Sequence, residues 1–95
     1  ITAMAARVAP CIKTFTVRRH VQYVVVQDGD RQEFAVQRWA AEDQGPELVT
    51  QYLYLAADPE SRDLARGAAI REAQRLCEAE RLGLQATGAA EARLD

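Results

Sequence analysis

One histidine and two cysteines are the residues of this chain best suited to chemistry: a general base at His20 and thiols at Cys11 and Cys77. A thiol beside an imidazole makes a nucleophile with its activating base, provided the fold brings the two within hydrogen-bond reach. No motif does this locally. The cysteines have no C-x-x-C or Cys/His spacing, Cys77 falls on the apolar arc of a helix where thiols are inert, and a lone histidine on a strand is ordinarily a polar surface residue. Glu42, Asp43 and Glu47 form an acidic cluster, but their spacing matches no EF-hand, and carboxylates in a loop before a strand are usually just solvated. There is no glycine-rich phosphate loop. The sequence therefore assigns no catalytic, cofactor-binding or metal-ligating residue, and the expectation is a protein that is not an enzyme and uses no cofactor.

The elements that would position these groups can be read from apolar periodicity. From Cys11 to Gln27 the odd positions Phe15, Val17, Val21, Tyr23 and Val25 are apolar, broken at Arg19. Period two predicts one long strand, bent near Arg18 to His20. Asp28-Gly29 then predicts a two-residue type I′ hairpin into a second strand over Arg31 to Trp39. That register faces Val25 with Gln32, Tyr23 with Phe34, Val21 with Val36 and Arg19 with Arg38 on the core side. Residues 40–46 read as a loop. Glu47 to Ala56 read as a third strand, with the aliphatic side (Val49, Leu53, Leu55) assigned to the core and Thr50, Tyr52 and Tyr54 opposite.

Asp58-Pro59-Glu60 has the form of a helix start: an Asp cap, proline at the first helical position and an acid near the positive end of the dipole. The helix is expected to end at Arg81 or Leu82, before Gly83, with a short further helix after Gly88. Ala65, Ala69, Ile70, Ala73, Leu76 and Cys77 share one arc. Gly67 reads either as a close backbone approach or as a sign that the helix starts instead at Ser61. At the other end, Ile1, Met4, Ala5 and Val8 have helical spacing, at most two turns before Pro10. Met4-Ala5-Ala6-Arg7 has the form of a natural start, which would make residues 1–3 an addition. The predicted architecture is α+β, a three-stranded antiparallel meander on one long C-terminal helix. It forms a single domain over residues 1–95, with residues 1–10 and 84–95 at its periphery.

One helix covers one side of a sheet, so the other side is free to act. On it the reading places Arg18, His20, Gln22, Val24, Arg31, Gln37, Trp39, Tyr52 and Tyr54. Aromatics beside basic and amide groups suit recognition, and two kinds of partner compete. The first is a protein, foremost a second copy of this chain, because Val24, Val26 and Tyr52 would otherwise be exposed together. The second is nucleic acid, stacked on the aromatics and held by Arg18, Arg19, Arg31 and Arg38. Arg71 and Arg75 lie among Glu72, Glu78 and Glu80, and this helix surface reads as solvated.

Charge favours the protein partner. The net charge is −2: residues 1–39 carry six basic and three acidic groups, residues 40–61 five acidic and no basic, and residues 62–95 six of each. The general basic footprint of non-specific phosphate binding is missing. No apolar stretch is long enough for a membrane span or a signal-peptide core, which together with two unpaired thiols predicts a cytoplasmic protein with no membrane partner. Lys13 is the only lysine against eleven arginines, a bias expected of a GC-rich bacterial or phage genome.

Overall fold

Eight residues into the first extended run the chain reverses on Arg19-His20, and what reads as one bent strand is a hairpin. His20, second of the two turn residues, takes the left-handed conformation, φ 67°, while Arg19 does not. Histidine is among the few non-glycine residues enriched there, which is why no Gly or Asn marks the turn. The computed structural model describes residues 10–41 and 45–94, residues 85–94 as backbone only. The helical spacing in residues 1–9 lies outside the described residues.

The strands are β1 (Cys11–Arg18), β2 (Val21–Asp28), β3 (Glu33–Ala40) and β4 (Glu47–Leu53), followed by the helix α1 (Pro59–Leu94). They form one antiparallel sheet in the order β1-β2-β3-β4, so β1 and β4 are its edges. The chain is thus α+β, with four strands rather than three on one C-terminal helix.

The β2–β3 connection also differs from the two-residue turn. Asp28 accepts the amides of Asp30 at 3.1 Å and Arg31 at 3.2 Å on Oδ1, an Asx-type closure. Gln32, at φ 52°, completes the reversal. Its carbonyl accepts Tyr54 N–H at 2.9 Å and its Oε1 accepts Ala56 N–H at 3.0 Å, so the loop is fastened to the end of β4. The register becomes Tyr23 with Arg38, Val25 with Val36 and Gln27 with Phe34. This is four residues from the type I′ register. An even slip leaves every side chain on its own face, so the division into core and open sides survives.

Beneath the sheet, Val17, Val21, Tyr23, Val25, Phe34, Val36 and Tyr54 close on Ala65, Ala69, Ala73 and Cys77 of α1, with Ile70 and Leu76 flanking. Alanines at i, i+4 let the helix lie close to the strands. At its start Asp58 Oδ1 accepts Glu60 N–H at 3.1 Å and Ser61 N–H at 3.3 Å, with Pro59 at the first helical position.

The C-terminal expectation fails at Gly83, where the helix runs on to Leu94 as one element of 36 residues. A stop at glycine needs a left-handed backbone, and none of the described glycines has positive φ. At about 1 kcal/mol relative to alanine, one glycine does not break an alanine-rich helix. Gly67 matches neither of its two readings: the helix begins before Ser61, and a Cβ would meet only the far end of Arg71, Nη1 at 3.1 Å.

Candidate interaction surface

β4 reverses the sequence reading of its two sides. Tyr54 is buried in the core, its ring 5.2 Å from Phe34, its hydroxyl accepting a hydrogen bond from Gln27 Nε2 at 3.3 Å. Tyr52, opposite Phe34, packs on the same side. The aliphatic residues point away: Leu53 is 69% exposed and Leu55 67%. Both tyrosines therefore leave the open face. A phenol can be buried when its hydroxyl finds a partner, as Tyr54 does, and the β4 backbone between Val36 and Gln37 of its partner carries a bulge that swings Leu48 to the open side, opposite Gln37.

The open face is built from Cys11, Thr14 and Thr16 of β1, Gln22, Val24 and Val26 of β2, Glu33, Ala35, Gln37 and Trp39 of β3, and Leu48, Gln51 and Leu53 of β4, following the pairings of each ladder. No strand residue on it is a lysine or arginine. Its centre is a second small apolar cluster, Val24, Val26 and Ala35, each less than a tenth exposed. These three floor a groove of about 430 Å³ walled by Trp39, Gln37, Pro46 and Leu48 toward one end and by Cys11, Asp28, Arg31 and Glu33 toward the other. Trp39 is 40% exposed and Leu48 55%. The indole N–H donates to Gln37 Oε1 at 3.1 Å, which satisfies its polar edge and leaves the ring for apolar contact.

The nine residues read as a recognition face divide three ways. Val24, Gln37, Trp39 and Arg31 line the groove. Gln22 and His20 border Trp39 around a second hollow with Ala40 and Ala41. Arg18, Tyr52 and Tyr54 lie elsewhere; the charge of Arg18 is felt by Glu80 on the helix side, where it helps hold that carboxyl below its ordinary range. Leu48, Pro46 and Cys11 are members that sequence reasoning leaves out, because a bulge and a loop decide their position, whereas strand parity already puts Glu33 on this side. Glu33 is the one buried charged residue among the described residues, its carboxylate 3.9 Å from Arg31 Nη1.

Of the arginines offered for phosphate contact, Arg38 is committed to Glu80 on the helix side, and Arg31 lies between Asp28 at 4.0 Å and Glu33. The thiols are separated from His20 chemically as well as in sequence. Cys77 Sγ donates to Thr16 O at 3.4 Å in the core, where burial pushes its pKa up, and the His20 imidazole has no hydrogen-bond partner among the described residues. Glu47 stands opposite Arg38 across β3 and β4, while Glu42 and Asp43 lie outside the described residues. Among the described residues no three His, Cys, Asp or Glu side chains are gathered as a metal site, and no helix is long and apolar enough to cross a membrane.

The chain matches no family model, no curated protein and no solved structure.

Proposed function

We propose that this protein is a small non-enzymatic interaction module that pairs with a second copy of itself through the open face of its sheet. The supporting observation is the make-up of that face: an apolar centre at Val24, Val26 and Ala35, a half-exposed Trp39 and Leu48 beside it, and no lysine or arginine among the strand residues that point to it. Interface cores are depleted in charge and enriched in aromatics in this way. Four strands at about 4.8 Å spacing and seven to eight residues at about 3.4 Å give a plan area of roughly 500 Å². Side-chain relief raises the accessible area toward the roughly 800 Å² per partner that standard interfaces bury. A twofold contact is self-complementary, laying Trp39 and Leu48 of each copy over the groove of the other.

Nucleic acid binding through the same face and the hairpin arginines has less support. Phosphate contacts need free cations, and Arg31 and Arg38 face carboxylates instead. The deciding experiment is the solution mass of Leu48→Glu, a change at a site exposed enough to leave the fold intact. The expected result is a monomer where the parent protein is a dimer; a variant that keeps the parent's mass contradicts the proposal. Salt-dependent binding of a single-stranded oligonucleotide, lost in Trp39→Ala, would instead support the nucleic-acid reading.

A further inference from the structure

We infer that the free edge of β4 is a strand-addition site for an extended segment of another protein, one that carries an apolar and a basic side chain two positions apart, on the same side of the added strand. β4 ends the sheet, so one row of its backbone groups faces outward. Tyr54 N–H bonds back to Gln32 O on the β3 side, and strand alternation then turns the N–H and C=O groups of Gln51 and Leu53 to the free edge. The next outward amide, that of Leu55, is occupied by Ser61 Oγ at 3.1 Å, which sets where an added strand would stop.

Beside this edge lies a second groove, about 680 Å³, between β4 and the first two turns of α1. Its lining falls into an apolar part, Tyr52, Leu64 and Ala65, and an acidic part, Asp58 and Glu60. Leu64 is 66% exposed on a helix whose neighbouring apolar side chains are in the core. A strand added to Gln51 and Leu53 would direct every second side chain into the groove. An apolar residue there meets Leu64 and Tyr52. A lysine or arginine two positions along meets Asp58 and Glu60, whose two carboxylates outweigh the roughly half positive charge of the helix terminus.

Charge also selects between occupants. Residues 40–61, which include β4, hold five acidic and no basic side chains, so a second copy offering its own β4 would bring acid to acid. A basic segment of a different protein is complementary. The edge shares Gln51 and Leu53 with the open face, but its groove lies toward α1, and its occupancy does not depend on that face being a dimer interface.

The probe is a synthetic seven-residue threonine peptide with valine at its third and lysine at its fifth position, so that both face one side, titrated into the intact protein at low salt and followed by backbone amide shifts. The expected result is saturable shifts centred on Gln51 and Leu53. Affinity should fall at least tenfold in Glu60→Lys and in Leu64→Asp, and should be lost in Gln51→Pro, which removes an outward amide without touching the β3 ladder. The same peptide with glutamate in place of its lysine should bind at least tenfold more weakly. Absence of saturable shifts, or shifts centred on Val24 and Trp39, overturns the inference. So does a dimer that Gln51→Pro dissociates and Leu48→Glu does not, which would give the edge to a second copy.

Discussion

Arg38 of β3 grips Glu80 of α1 through two parallel hydrogen bonds, Nε to Oε1 at 3.0 Å and Nη2 to Oε2 at 2.9 Å. Tyr23, directly opposite Arg38 on β2, donates its hydroxyl to the same Oε1 at 2.7 Å. One carboxylate on the helix thereby ties the two central strands to α1 through three donors. Both members of the ion pair are about three-quarters covered, the arginine 23% and the glutamate 24% exposed. Removing one partner of a pair in that setting costs more than at a surface bridge and less than at a fully buried one.

Removing that carboxylate should therefore destabilise the protein. Glu80→Gln is expected to lose about 1–2 kcal/mol in urea unfolding at neutral pH, from the charge-assisted bonds to Arg38. The guanidinium holds the Glu80 carboxyl below its ordinary range, so the contribution is complete above that range and is lost as pH falls through the lower folded value. Parent and variant should converge in stability on acidification. A difference that stays constant from neutral pH to below pH 3 would show that the ion pair is not its source.

Tyr23 gives the opposite pH dependence. Burial first, then its hydrogen bond to Glu80, pushes its phenol up to about 12 from 10.0, because an ionised phenolate there would lie against a carboxylate. Its contribution is present below the ordinary value of 10.0 and lost as pH climbs toward 12. In an ultraviolet titration of the folded protein, the phenolate step absent from Tyr23→Phe should be centred near 12. A missing step centred near 10 would contradict the buried contact with Glu80.

Gly67 is a site where the chain can be made more stable. It lies inside α1, and an added methyl meets only a flexible arginine tip. Gly67→Ala is expected to add about 0.5–1 kcal/mol, raising the melting temperature by several degrees for a domain of this size. A loss of stability would mean that Arg71 cannot yield and holds a fixed position.

Faces were more legible in this sequence than turns. The alternation through Tyr23, Val25, Phe34 and Val36, the arc from Ala65 to Cys77 and the cap at Asp58-Pro59 each follow from a period or a local hydrogen bond, and each is where the residues place it. The reversal at Arg19-His20 carries no glycine, so it reads as a bend. The Asp28-Gly29 pair carries the strongest short-hairpin signal, but the side chains of Asp28 and Gln32 supply a longer loop with its own partners. β4 is apolar on both sides, so periodicity cannot orient it; Phe34 and Gln27 decide by receiving Tyr54.

The candidate site was legible to the same degree. Gln22, Val24, Gln37 and Trp39 follow from the parity of β2 and β3, which a four-residue slip leaves intact. Leu48 depends on one bulged residue, and no pattern in the sequence marks it.

Light scattering of the parent protein over a range of concentrations and at two salt levels tests most directly whether the open face is an interface between two copies. Pairing predicts a mass near twice 10.5 kDa, little affected by salt because no strand lysine or arginine points to the buried face and Arg31 at its rim lies beside Asp28 and Glu33. A mass of 10.5 kDa at every concentration would contradict it.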